Sequence, residues 1–397
     1  MLSLDWKILA TVANLGMANA LEGSLSYRAN GSHREHARLA VDALQGWYNT
    51  ATGLWDTTGW WNGANCLTVL GDLAAVDPST LNSSASIFNH TWTLAPNYKT
   101  SPAQRTVNLN VQTANRGTRH SVSTLASPDF TNAMYDDEGW WALAWIQAFD
   151  VTRDRRYLDT AVDLFIDMTT GWGATCGGLW WNKQHTENGA IENELFISVA
   201  AHLARRIPEQ TNFQDWALGT WQWFSDSGLV NDQHTINNGL NLSTCTNDLD
   251  TVWSYNQGVI LGALVELSQL QSDKSYLSTA RDIALGGIDA LSNSDGVLQD
   301  SCEPDCGADG SQFKGIFMRN LIRLYQVAPD RKIKSFIQRN ADSIWNRNRD
   351  GDNHLGIRWS GPYAVADAST QSSACDALIA AAALNLTRRY STRAFFE

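Results

Sequence analysis

Apolar residues recur at helical spacing along the chain, and two kinds of helix alternate. Ser32 through Gln45 carries Ala37, Leu39, Ala40, Ala43 and Leu44 as one stripe, the pattern of a helix with a single buried face. Trp60 to about Val76 opens a second helix, which Pro78 breaks, and Ser79 to about Leu94 reads as a third. Residues 95–134 are polar, with Val107, Leu109 and Val111 set among Thr, Asn and Gln. They predict a long loop or small hairpin of the length of a functional insertion. Asp136 to Asp150 is apolar on nearly all sides, as an interior helix requires, whereas Arg155 to Thr169 shows only one apolar face. The alternation continues with Asn188 to Arg206 interior and Gln214 to Ser227 amphipathic. Val252 to Leu270 and Ser275 to Ala290 follow in the same way, then Ser311 to Tyr325 and Arg331 to Asn346. Gln371 to Leu386 closes the series.

Interior helices thus begin near Trp60, Asp136, Asn188, Val252, Ser311 and Gln371, about 50 to 75 residues apart, each after a glycine-rich or polar loop. Six buried helices alternating with six amphipathic ones predict an all-α fold, an (α/α)6 toroid of six inner and six outer helices. The loops ahead of the inner helices then share one rim. No Pro-, Gly- or Ser-rich linker interrupts residues 21–397, which read as a single domain.

Residues 1–20 read as a secretory signal peptide. Lys7 precedes the apolar run Ile8 to Ala13, and Ala18-Asn19-Ala20 fits a small-residue cleavage site, although Asp5 departs from the pattern. No later apolar run reaches the ~20 residues needed to span a bilayer. The last residues, Arg388 to Glu397, lack the hydrophobic tail of a lipid-anchor signal. Five glycosylation sequons, at Asn30, Asn82, Asn89, Asn241 and Asn385, agree with a secreted, extracellular chain. A net charge of −12 excludes a nucleic-acid-binding surface, which needs a basic field. Eighteen tryptophans are more than core filling requires, and a rigid indole face suits stacking on a sugar ring.

The chemistry gathers around Asp136-Asp137-Glu138-Gly139-Trp140-Trp141. Carboxylates at a helix start are ordinary caps. They are also what glycoside cleavage needs, a pair in which one member stays ionised and the other keeps its proton. On the toroid this pair shares a rim with several other segments. These are Trp60-Trp61-Asn62, Leu179 to Lys183 with Trp181, Glu192-Asn193-Glu194, Trp253 to Gly258 with Tyr255, Asn256 and Gln257, and Gln312 to Gly315 with Lys314. Aromatic rings, side-chain amides and carboxylates without metal-ligand spacing describe a polyol site that calls for no metal and no cofactor. Each of these residues also has a plainer role: Trp60, Trp61 and Trp181 as core, Lys314 as an ion-pair partner. Asp350-Gly351-Asp352-Asn353 lacks the oxygen spacing of a calcium loop and reads as a turn.

Asp136 to Ala142, Cys176 to Asn182, Asn193 to Phe196, Trp253 to Gly258 and Phe313 to Phe317 resemble glycoside hydrolase family 76, in the right order over nearly the whole chain after the leader. The resemblance implies an (α/α)6 endo-α-1,6-mannanase that cleaves mannan with retention, with Asp136 as nucleophile and Asp137 as acid/base. The family's fungal branch includes wall proteins thought to transfer lipid-anchored mannoproteins onto glucan. Glu-Gly-Trp-Trp after the aspartates and the absent anchor signal set this chain apart from that branch and favour a secreted, soluble, monomeric hydrolase acting on α-1,6-mannan. A transglycosylase on the same fold and a non-catalytic mannan-binding protein are the alternatives. Asp250, just ahead of Trp253, reads as a contact for a mannose hydroxyl or as a helix cap. Toroid order predicts Cys176–Cys245 and Cys302–Cys306 disulfides, with Cys66 and Cys375 either paired or buried as thiols.

Overall fold

The computed structural model describes residues 33–99, 128–384 and 386. The expected leader, most of the polar insertion and the sequons at Asn30 and Asn385 lie outside the described residues. The inner helices are α2 (Trp60–Val76), α4 (Tyr135–Thr152), α6 (Ile191–Arg206), α8 (Ser254–Gln271), α11 (Phe313–Val327) and α13 (Ala368–Ala383). Each packs against the next, and α13 returns to α2, closing the ring. The outer layer comprises α1 (33–44), α3 (Leu81–Leu94), α5 (Arg155–Met168), α7 (Asn212–Asp226), α9 (Ser275–Leu291) and α12 (Arg331–Arg347). A one-turn helix, α10 (Gly307–Gly310), and two short hairpins, β1 (Tyr48–Asn49) with β2 (Leu54–Trp55) and β3 (Leu240–Asn241) with β4 (Thr246–Asn247), decorate the loops. The molecule is an (α/α)6 toroid.

Burial explains the two helix types. Every residue of α13 is buried, and α8 is buried from Asn256 to Ser268, so these sequences show no polar face. The outer helix α12 buries only a stripe that includes Ile333, Phe336, Ile337, Ala341 and Ile344. Inner helices also approach closely at glycine. A Cβ on Gly258 would lie 2.7 Å from the Phe317 backbone, and one on Gly315 would lie 2.6 Å from the Ser373 backbone. Two starts differ from expectation by three residues. Asn188 stays in the loop, its Nδ2 donating to the Leu179 carbonyl (2.7 Å), and α6 begins at Ile191. Asp367 forms a capping box with Thr370, so α13 begins at Ala368, ahead of Gln371.

Buried ion pairs tie inner helices to one another. Arg319 donates two hydrogen bonds to Asp376 (3.0 and 2.7 Å), with Asp72 also nearby (3.7 Å). Cys176–Cys245 joins the loops ahead of α6 and α8, and Cys302–Cys306 closes the turn before α10. Cys66 and Cys375 are buried free thiols. The Asp350 carboxylate accepts the Asp352 and His354 amides in a tight turn. Among the described residues no helix is long and apolar enough to cross a membrane.

Candidate active site

The amino ends of α2, α4, α6, α8 and α11 and the loops before them line a cavity of about 350 Å³. Its wall at α4 is set by backbone pairing: the Tyr135 N–H donates to the Trp181 carbonyl at 2.9 Å, tying the start of α4 to the segment before α6. Asp136, Asp137 and Glu138 therefore occupy the first helical turn, where backbone N–H groups and the helix dipole favour negative charge.

The two aspartates have different surroundings. Asp136 accepts the Trp181 Nε1–H (2.8 Å) through one oxygen and the Asp137 N–H (3.0 Å) through the other. Burial pushes its carboxyl up to about 6, against those donors. Asp137 accepts the Asn132 Nδ2–H at 2.5 Å, and the Asn132 amide is oriented by its own Oδ1 accepting the Met134 N–H. Burial first, and the Asp136 charge second, push Asp137 well above the usual carboxylate range. Asp137 thus holds its proton to higher pH than Asp136. Glu138 turns away from the cavity, accepting the Asn132 N–H and the Lys183 ammonium (2.9 Å).

Trp61 stacks against Trp140 (centroids 5.5 Å apart), and its Nε1–H donates to Asp309 (3.1 Å). Tyr255 lies flat on Phe313 at 3.9 Å. Trp60 is mostly core, packed on Phe130 and Trp141, with its edge at the cavity. Asn62 is buried at the wall, bonded to Gln312 (2.9 Å) and to the Gly59 N–H (3.2 Å). The structure therefore gathers Asp136, Asp137, Trp60, Trp61, Asn62, Trp181 and Tyr255 around one space.

Five other expected site residues lie elsewhere, for identifiable reasons. Asn193 Oδ1 accepts the Leu179 N–H (2.8 Å), and Gln257 Oε1 accepts the Ile236 N–H (2.9 Å), so both amides clamp the loop preceding their own helix. Asn256 is buried within the ring and does not line the cavity. Lys314 is 2% exposed, paired with Glu303 (2.6 Å) and the Ile357 carbonyl, and set over the Trp359 ring. Asp250 is exposed, its carboxylate accepting from the neighbouring Thr251 and its backbone carbonyl from Asn237 Nδ2; it is neither at the cavity nor the cap of α8. Asp300 fills that capping position, accepting from the Ser254 N–H (2.9 Å) and hydroxyl (2.6 Å).

Residues not singled out individually as site candidates complete the walls. Trp140, Phe313, Asp309 and Glu192 line the cavity, and Asn132 supports Asp137 from outside it. Glu192 carries the same signal as Asp136, an acid in the first turn of an interior helix. Asn132 sits in a polar stretch with no periodicity to place it.

A toroid whose inner-helix starts present paired carboxyls among indole rings has the architecture of a glycoside hydrolase. The model described as Glycosyl hydrolase family 76 matches residues 35–393, and the chain belongs to that family. A mannan endo-1,6-alpha-mannosidase, DFG5 of Candida albicans, is 25% identical over 272 residues, which are 62% of this chain and 60% of that protein. The chain spans about half to three fifths of the length of the curated relatives it matches. Among solved structures, one is an inactive double Asp-to-Asn variant of the alpha-1,6-mannanase GH76A of Salegentibacter sp. HEL1_6 in complex with alpha-1,6-mannotriose. It is similar with a TM-score of 0.73 at 21% identity, covering 89% of this chain and 99% of that one. Dfg5 from Chaetomium thermophilum in complex with glucosamine gives 0.69 at 18% identity, covering 89% and 90%.

Proposed function

We propose that this protein is a secreted retaining endo-α-1,6-mannanase in which Asp136 is the nucleophile and Asp137 the acid/base. The observation that carries this reading is the asymmetry of two adjacent carboxyls: half-buried Asp136 is held by two N–H donors, while buried Asp137 is pushed toward its protonated form by burial and by its neighbour's charge. Retaining cleavage needs such a division of labour. Ionised Asp136 attacks the anomeric carbon as Asp137 gives its proton to the departing glycosidic oxygen, leaving a mannosyl ester on Asp136. Esterification removes the Asp136 charge, so the repulsion that kept Asp137 protonated disappears. Asp137 can then take a proton from the water that attacks the ester, and both groups return to their starting states. Trp61, Trp140, Tyr255 and Phe313 supply ring faces for sugar stacking. The activity of the curated relatives named for mannan supports α-1,6-mannan as the substrate.

The test is proton NMR of the anomeric region during the first minutes of cleavage of a reduced α-1,6-manno-oligosaccharide. Retention delivers the α anomer first; initial appearance of the β anomer overturns the mechanism. Absence of cleavage overturns the activity.

A further inference from the structure

Besides the aspartate pair, Glu187, Glu192 and Asp309 also line the cavity, and the reaction just described uses none of them. Glu192, in the first turn of α6, is fully buried and lines the same space as Asp136 and Asp137. Its two oxygens are not equivalent. Oε1 accepts the Gly189 N–H, which orients the side chain, while Oε2 has no hydrogen-bond partner. A buried polar atom left unpaired costs roughly 1–3 kcal/mol, so an unpaired oxygen on a residue that lines the cavity marks a place where something else completes the bonding. No lysine, arginine or histidine lines the cavity among the described residues; its charged groups are all acidic, so the partner is not an anion.

From this geometry we infer that Glu192 is a substrate-contacting residue whose Oε2 hydrogen-bonds one hydroxyl of the bound sugar beside the aspartate pair. The inference rests on the mannan-cleaving reading above. Burial, above all, keeps the Glu192 carboxyl protonated, and the charges of Asp136 and Glu187 push the same way against its backbone N–H bonds. Oε2 therefore carries a hydrogen to donate, so the group can bind a sugar oxygen without placing a second anion next to Asp136. The Asp136 charge acts on Glu192 and both carboxyls line one cavity, so the hydroxyl addressed belongs to a sugar beside the aspartate pair.

The experiment measures binding of α-1,6-mannotriose and its monodeoxy analogues to the full chain carrying Asp136→Asn and Asp137→Asn, which prevents turnover. One deoxy position is expected to weaken binding about tenfold, the worth of a lost hydrogen bond, when Glu192 is present. With Glu192→Ala added, that same position costs nothing further, while the other positions keep their effects. Glu192→Gln keeps the Gly189 contact and a donor in place of Oε2, and so retains sensitivity to the same position. A merely structural role shows no such pairing between one side chain and one hydroxyl. If Glu192→Ala does not fold, Glu192→Leu, similar in size and without a donor, carries the same comparison. Deoxy effects that are unchanged in the Glu192 variants overturn the inference alone. Mannotriose that fails to bind with Glu192 intact overturns the mannan reading and this inference with it.

Discussion

Asp136 and Asp137 differ through three hydrogen bonds and one neighbouring charge, and the pH dependence of activity follows. In the proposed mechanism Asp136 is ionised when it attacks, and burial pushes its carboxyl up to about 6. The acidic limb of kcat/KM is therefore expected near pH 6, with activity falling tenfold per unit below it, the pair titrating as a unit. A limb near pH 4, the ordinary carboxylate range, would contradict this. Buried acids also affect stability. Glu194 is fully buried with both carboxyl oxygens unpartnered, and burial pushes its pKa well above the usual value. Between its unfolded and folded pKa values the folded chain binds more protons, so stability is present below the unfolded pKa and declines as pH rises toward the folded one. Glu194→Gln removes that slope. Its Tm relative to the parent is expected to rise from pH 5 to pH 8, read by differential scanning fluorimetry; a constant difference would contradict the assignment. At this scale the aspartate pair was legible because a helix start announces itself, and Asn132 was not because its stretch has no register.

At the scale of elements, the alternation of all-apolar and striped segments reports directly on inner and outer position, which is why the toroid could be read. Asn193 and Gln257 read as rim ligands because chemistry and architecture want the same residue. Asn193, Gln257 and Gln371 each accept a backbone N–H from the loop preceding their helix, at 2.8, 2.9 and 2.7 Å. This repeated clamp aims each loop at the rim without touching the cavity. Only side-chain direction, changing by about 100° per residue, separates a clamp from a substrate ligand. The glycine in Trp253 to Gly258 serves packing rather than chemistry. Gly258→Ala would put a Cβ 2.7 Å from the Phe317 backbone, and rigid helix backbones cannot yield as a side-chain tip would. A loss of about 1–3 kcal/mol in urea denaturation is expected, with residual activity per folded molecule near that of the parent. No change in stability would show that α8 and α11 are not so closely apposed.

Across the whole molecule, closure of the ring depends on helices far apart in sequence. Arg319 of α11, Asp376 of α13 and Asp72 of α2 meet where the last inner helices return to the first. Burial raises Asp376 to about 6 even beside Arg319, so this charged group is costly to leave unpaired. Arg319→Ala is expected to cost about 3–5 kcal/mol by stranding Asp376, whereas removing both partners costs less than the sum of the single changes. Additive losses in the double-mutant cycle would contradict a direct buried pair. None of this pairing was legible, because charged residues inside apolar helices carry no sign of which distant helix they face. The Cys176–Cys245 bridge was legible, since toroid order alone sets those two loops side by side.

The central claim is that two adjacent carboxyls at the amino end of α4 cleave α-1,6-mannan. Its most direct test is release of reducing ends from linear α-1,6-mannan by the wild type, Asp136→Asn and Asp137→Asn at pH 6.5. Cleavage by the wild type and a loss of about 100-fold or more in either variant are expected, with melting temperatures at or above the parent's because each change removes an ionisable group that burial holds away from its charged form. Retention of activity by either folded variant would contradict it.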